Sequence, residues 1–430
     1  MNFALFKRIT VIAACVLAML GVSSMTYAKD KVSQPAVTAE WPDFLRDAMK
    51  RELRVKKSTP LSLADGLVTG TVPGEFNDAP EEVEEGAWYF SLDLGVEDRV
   101  QCWVYLNESH LTTLLSQLHD ILITGVAEYL SESPAVRKMP YYVYSDILDG
   151  QPMLTSEWFF LVGEEQPQAG LSKIRVAQKD GATLACAQVA LGYRKTFATL
   201  FEDLLGSLTV SLDRPKPYYR ETYLVKIADQ RAGVALTSFY PGDDDSTLAI
   251  STTSMLLQAD ENSLVSSDSE VTSYANPDGT VIRAYDVTME NGELKTDLSL
   301  ERNNEGNWMV SGPFNGKEIA VEIETQTAPM SPLGLMILTR DELAAKNKDA
   351  VSFPMWLADA DPSSFLEGSL KLDKISRKGG RGVITTGPLA MNAKFDKSGS
   401  ASSVDVALGP NTMRMERVTV SGELRNSAAE

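Results

Sequence analysis

Residues 99–106, RVQCWVYL, run directly into residues 107–123, NESHLTTLLSQLHDILI. The first run has period two: Val100, Cys102, Val104 and Leu106 share one face of a strand, and Gln101, Trp103 and Tyr105 share the other. The second has the helical period, with Leu111, Leu114, Leu115, Leu118, Ile121 and Leu122 at i, i+3, i+4, i+7, i+10 and i+11. Asn107 or Ser109 stands where a side-chain oxygen can cap the free N–H groups of the first turn. A strand followed at once by a helix with one apolar stripe predicts a helix lying on a sheet.

The same stretch holds both histidines of the chain. His110 and His119 are nine residues apart, about 180° around a helix, so they cannot share a metal or form the i, i+4 pair of a zinc protease. His119 and Asp120 are neighbours whose side chains diverge, and the sequence contains no GxSxG nucleophile elbow. Surface or cap roles are expected of both histidines, and no catalytic residue, metal ligand or cofactor site is predicted.

Working toward the N-terminus, AWYFSLDL (87–94) and GLVTGTVP (66–73) read as strands, with GEFNDAPEEVEEG (74–86) as an acidic loop between them. Residues 41–54, WPDFLRDAMKRELR, predict a short helix with Pro42 at its first position. Toward the C-terminus come YYVYSDIL, SEWFFLVGE, LSKIRVAQ and GATLACAQVALG, the last pair joined by a hairpin at Asp180-Gly181. RKTFATLFEDLLGSLTV (194–210) closes the region with a second helical stripe, Phe197, Leu200, Phe201, Leu204, Leu205 and Leu208.

The expected organisation is therefore α+β. A polar N-terminal segment with a short helix covers 29–57, and an antiparallel sheet with two packing helices covers 58–212. The proline-stiffened linker DRPKPYY covers 213–219. Residues 220–425 change texture to short alternating strands separated by turn signals such as Asn276-Pro277-Asp278-Gly279, Asn291-Gly292 and Asn315-Gly316. About eleven such strands predict an all-β roll or half-barrel, its helical candidates being TRDELAAKNKD (339–349) and a turn near SFPMWLADADPSSF.

The order of elements over 58–212, ending in FEDLLGSLTV, resembles the PsbP and Mog1-like α/β sandwich, although the acidic loop and the long helix depart from that pattern. The resemblance implies a noncatalytic accessory or binding protein. The second half is similar, without a motif, to the half-barrels of periplasmic lipid and lipoprotein carriers.

The chain has 430 residues, 43% hydrophobic and 23% charged, with net charge −19. Such a balance repels phosphate backbones and excludes nucleic acid as a natural partner. Residues 1–28 read as a secretory signal: Lys7 and Arg8, an apolar run from Ile9 to Val22, then SSMTYA with cleavage expected between Ala28 and Lys29. A lipoprotein box at Ile12-Ala13-Ala14-Cys15, with Cys15 acylated, is the alternative. No later run approaches the ~18 apolar residues of a membrane span, so a periplasmic or secreted chain without a membrane span is expected.

In an oxidising compartment the two cysteines left after signal removal, Cys102 and Cys186, are expected to pair; two separate buried thiols are the alternative. The acidic clusters Glu81–Glu85, Asp243–Asp245 and Asp359-Ala360-Asp361 lack calcium-loop spacing and read as solvated loops. The basic island SRKGGRG (376–382) lacks a phosphate cradle and reads as a hairpin tip. Of the aromatic runs 88–90 and 158–160, Trp88, Phe90, Trp158 and Phe160 are the candidate docking residues if one sheet face stays uncovered. The functional expectation is a noncatalytic binding or accessory protein holding an envelope protein or an apolar small ligand. The alternatives are a hydrolase using paired carboxylates on second-domain loops and a structural envelope component.

Overall fold

The computed structural model describes residues 43–95, 99–106, 110–130, 135–163, 167–258, 263–409 and 411–424. The signal segment, the Ala28–Lys29 cleavage point, the Cys15 box, Trp41-Pro42 and the caps Asn107 and Ser109 lie outside them. The chain is β-rich, and two compact units divide it: one within 28–214 plus 256–266, the other within 215–255 and 267–430.

The first unit opens with helix α1 (Asp43–Met49), strands β1 (Ser58–Leu63), β2 (Val68–Pro73), β3 (Glu75–Glu84), β4 (Ala87–Asp93) and β5 (Val100–Leu106), and helix α2 (Leu111–Leu130). It continues through β6 (Val136–Leu148), β7 (Gln151–Val162), β8 (Gln168–Lys179), β9 (Ala182–Val189), helix α3 (Arg194–Ser207) and β10 (Thr209–Val210). Seven strands form one antiparallel sheet in the order β3-β4-β5-β9-β8-β7-β6, and β1-β2-β10 form a small second sheet.

Both faces of the large sheet are covered, by a different helix on each. Alternation separates Val189 from Cys186, Leu184 and Ala182 along β9. The Val189 face, with Phe160 and Val162, packs against Ile123 and Ala127 of α2. The Cys186 face, with Phe90 and Val104, packs against Phe197, Phe201 and Leu204 of α3 and against Leu61, Val68 and Val72 of the small sheet.

Two local expectations are corrected here. The acidic run 74–86 is not a loop: Glu75–Glu84 is strand β3, mostly exposed and irregular in register against β4, at the edge of the sheet. Carboxylates on an edge strand suit solvent and discourage edge-to-edge pairing, which hides the strand from an apolar count. The α2 stripe is also rotated. Ile121 is 63% exposed, whereas Thr112, His119 and Ile123 are buried, because the covered arc is centred between the leucines and those residues.

The second unit is a single antiparallel sheet. Its strands are β11 (Tyr219–Ile227), β12 (Gln230–Pro241), β13 (Thr247–Gln258), β14 (Leu264–Ala275), β15 (Val281–Glu290), β16 (Glu293–Arg302), β17 (Trp308–Phe314) and β18 (Lys317–Ile323). Helix α4 (Pro332–Ala345) then leads to β19 (Val351–Met355), β20 (Leu366–Ser376), β21 (Gly379–Thr386), β22 (Leu389–Asp396), β23 (Ala401–Leu408) and β24 (Asn411–Gly422). Fourteen strands run in the order β18 down to β11, then β24 down to β19. The first strand thus pairs with the last, and the two free edges are the strands flanking α4.

Leu333, Met336 and Ile337 of α4 pack against Tyr219, Phe239, Ala249 and Ala275 of the early strands. The other arm also reaches the helix: a side-chain carbon at Gly380 of β21 would collide with Leu343. The helix therefore lies within the curl of the sheet. It begins seven residues before the expected 339–349 segment, since Ser331 accepts a hydrogen bond from the Gly334 N–H and Pro332 occupies the first turn. Its first half, PLGLMIL, is apolar on every side, so it shows no amphipathic stripe.

Cys102 and Cys186 face one another across β5 and β9 and form a disulfide, with Cα atoms 4.1 Å apart. The bond spans 84 positions. Replacing both cysteines by alanine is expected to lower the unfolding free energy by about 4 kcal/mol, from the restored freedom of the unfolded loop. Urea unfolding of the oxidised protein and the double variant measures it.

Candidate binding groove

Lys173 sets up the loop that becomes one wall of the site. Its side chain is fully buried in β8, and its ammonium donates to the Ala190 carbonyl at 2.8 Å and to the Gly192 carbonyl. From above, the Tyr193 N–H donates to the Arg51 carbonyl at 2.7 Å. A side-chain carbon at Gly192 would lie 2.4 Å from the Ala48 carbonyl oxygen, so only glycine fits there. The Glu52 carboxylate accepts from the backbone N–H groups of Lys195 and Thr196, at 2.9 and 2.7 Å, and so caps α3 from a distant part of the chain.

Between this loop and α2 lies a groove of about 1060 Å³, near the upper end of small-ligand sites at ~300–1,000 Å³. Its outer wall is the C-terminal half of α2, with Ile121, Gly125, Val126, Tyr129 and Leu130. Its floor is the start of β8 and the end of β9, with Gly170, Ala187 and Val189, and Phe160 of β7. The Phe160 ring lies across Gly170, where any side-chain carbon would fall within 2.3 Å of it.

Three properties distinguish this groove. Gly125 sits inside α2, yet a side-chain carbon attached there would meet nothing within 4 Å. Gln188 is only 1% exposed, and neither its Oε1 nor its Nε2 has a partner among the described residues. Among the described residues the lining contains Arg51 and Arg99 and no carboxylate, histidine or cysteine. Arg99 is shared with Asp78 at 3.0 Å. The side chain of Arg51 makes no hydrogen bond or ion pair with another described residue. Such a lining can bury apolar surface, donate hydrogen bonds and neutralise an anion.

The residues singled out in the sequence fall elsewhere, with one exception. Phe90 is core under α3, and Trp88 packs beside that core. Trp158 packs beside α2, with the Lys138 ammonium 5.5 Å from its ring centre. A docking role for Phe90, Trp88 and Trp158 on a bare sheet face is therefore corrected, since helices occupy both faces; Phe160, though core, forms part of the groove floor.

His119, expected at the surface, is 3% exposed, with Nδ1 2.9 Å from Ser172 Oγ and its ring tilted against Trp158. Burial, reinforced by the Lys138 charge, pulls its pKa down from 6.5 to about 3. In the second unit Asp243–Asp245 form an exposed turn, as do Arg377 and Lys378. Asp359 turns inward instead, accepting from Thr296 at 2.6 Å and Thr288 at 3.3 Å. Its neighbour Asp286 is buried, and burial followed by the Asp359 charge raises its carboxyl well above the ordinary range. A carboxyl so enclosed offers no face to a glycoside, so this pair does not form a hydrolase cleft.

Sequence reasoning missed Gly125, Gln188 and Arg51. Each carried a faint signal: a glycine inside an amphipathic helix, an amide inside the largely small and apolar run TLACAQVAL (183–191), and an arginine in the short helix expected over 41–54.

No family model and no curated protein matches the sequence. Solved structures similar to it include a β-barrel-like protein of the DUF1849 domain of unknown function from Brucella abortus, 15% identical with TM-score 0.37, covering 48% of this chain and 98% of that one. A cyanobacterial PsbP from Synechocystis sp. PCC 6803 is 18% identical with TM-score 0.24, covering 36% of this chain and 92% of that one. A DUF1089 family protein from Pseudomonas aeruginosa is 10% identical with TM-score 0.24, covering 39% and 87%. A PsbP-like chain is thus among the similar structures, at a level that carries no functional argument. Among the described residues no helix is long and apolar enough to cross a membrane.

The buried His119 makes stability depend on pH with a definite sign. Its folded pKa, about 3, lies below the unfolded value of 6.5, so protonation favours unfolding. The stabilisation from keeping it neutral is complete above pH 6.5 and is lost as pH falls toward 3, at roughly 1.4 kcal/mol per unit. Urea unfolding from pH 7.5 to 4 should therefore show a shallower pH dependence for His119→Gln than for the unsubstituted protein.

Proposed function

We propose that this chain is an exported, noncatalytic binding protein whose first unit holds an apolar ligand or protein segment in the groove between α2 and the loop 190–193. The observation that carries the reading is Gly125. Glycine inside a helix costs about 1 kcal/mol relative to alanine, and here neither a positive φ nor a close neighbour requires it. Its missing side chain leaves open space at the α2 wall of the groove. The signal-like N-terminus and the Cys102–Cys186 disulfide support an oxidising compartment.

Gly125→Leu tests the reading with little threat to the fold, since the first side-chain carbon meets no neighbour within 4 Å and leucine favours helix. Native mass spectrometry of the protein purified from its own host should show a bound mass, which the Gly125→Leu variant loses while its melting temperature stays level or rises. A bound mass retained by the variant, or none in the unsubstituted protein, overturns the proposal.

A further inference from the structure

We infer that Asp286 and Asp359 form a proton-operated latch in the second unit, fastening the loop 356–361 over β15 and β16. The latch is independent of the groove.

The loop ties together strands from the two ends of the strand order. It leaves β19, the last strand of that order, and its Trp356 and Ala358 pack against Ala284, Leu298, Leu300 and Trp308 of β15, β16 and β17. Asp359 supplies the polar tie, accepting from Thr296 at 2.6 Å and from Thr288 at 3.3 Å. Register sets the face beneath. Thr288 lies opposite Thr296 and Asp286 opposite Leu298, so Asp286 points to the same side as both threonines.

The hydrogen bonds there call for a proton. The Thr288 hydroxyl lies 3.4 Å from Asp286 Oδ1 and 3.3 Å from Asp359 Oδ2, both longer than the usual O–H···O distance of about 2.7 Å. A hydroxyl has a single hydrogen to give and can also accept. Between two carboxylates it serves one, which leaves Asp286, 1% exposed and with Oδ2 unpartnered, as an uncompensated buried charge. With a proton on Asp286 the chain closes: Asp286 donates to Thr288, and Thr288 donates to Asp359.

The surroundings leave Asp359 as the charge that Asp286 faces. On the same side β14 contributes Ser269, Val271 and Ser273, and β16 contributes Thr296 and Leu298. Asp361 of the loop turns to Ser363 and Ser364. Burial, followed by the Asp359 charge, raises the Asp286 carboxyl well above 3.8 while the loop is closed. Opening returns it to that ordinary value. The proton therefore favours closure, which is fully supported below pH 3.8 and weakens as pH rises toward the raised value. Across that window the opening equilibrium grows by up to about tenfold per pH unit.

Hydrogen–deuterium exchange of the full-length protein, read on peptides covering 356–361 and corrected for intrinsic exchange, measures the opening. From about pH 5 upward protection should fall by up to about tenfold per unit, then level off once Asp286 ionises in the closed form. Asp286→Asn, whose amide donates as the protonated acid does, should hold protection constant. Asp359→Asn should level off at a lower pH, because the like charge is gone. A readout free of loop motion is the infrared band of un-ionised carboxyls near pH 6, a component of which Asp286→Asn should lose. Protection independent of pH in the unsubstituted protein, or the same fall in Asp286→Asn, overturns the latch. An unmoved levelling point in Asp359→Asn overturns the pairing, and an infrared band unchanged by Asp286→Asn overturns the proton.

Discussion

A lysine ammonium buried in a sheet must find oxygen acceptors, because an unpaired charge in a protein interior costs several kcal/mol even after relaxation. Lys173 finds them in the carbonyls of Ala190 and Gly192. That requirement folds the chain after β9 back over its own strand end, forces Tyr193 into the left-handed region at φ 62°, and launches α3 from a fixed point. The N-terminal segment completes the clamp: the Arg51 carbonyl accepts from Tyr193, and Glu52 caps the first N–H groups of α3. Beside it Arg194, the first residue of α3, pairs with the buried Glu157 of β7 at 2.6 Å, so helix and sheet are tied by charge at the same corner. One wall of the groove is consequently a rigid loop, braced from both sides.

The second unit meets a different constraint, that of joining chain ends. Its two arms, β11–β18 and β19–β24, join only where β11 pairs with β24, and a buried polar cluster ties that seam. Tyr219 and Ser400 donate to Glu221, Arg417 lies 3.6 Å from the same carboxylate, and Arg417 also pairs with Asp396 at 2.6 Å. Burial raises the Glu221 carboxyl above its ordinary range. These residues come from β11, β24 and the β22–β23 turn, so the cluster links segments nearly 200 positions apart in sequence, Arg417 and Glu221 among them. Directional hydrogen bonds there discriminate against a slipped register more sharply than apolar packing would, since a one-residue slip would turn the charged groups out of the cluster.

How much of this was legible from the sequence follows from what each signal measures. The strand 99–106 and the final helical stripe were plain, because alternation and helical periodicity report burial on one face. The tilt of α2 was not, because His119 and Thr112 count as polar in any apolar tally yet are buried, His119 beside Ser172. Strand β3 was hidden by its carboxylates and the first half of α4 by apolar residues on all sides. Both failures have the same root: periodicity appears only where one face is buried and the other wet. The groove lay beyond reach for another reason. Its lining joins α1, the loop 190–193 and the far end of α2, and a sequence pattern does not bring such segments together.

What local rules do offer is their violations. A sequence specifies a fold when propensity, packing and polar satisfaction agree, and departures concentrate where function opposes stability. In the first unit three departures share one address. Gly125 weakens a helix without a steric need, Gln188 buries an amide without a partner, and Tyr193 holds a positive φ, the only aromatic among the described residues to do so. All three line the same groove. The Tyr193 conformation is accounted for by the Lys173 clamp, but the other two have no structural beneficiary within the fold. Each would be relieved by a single substitution, alanine at 125 or leucine at 188, so stability alone would not maintain them.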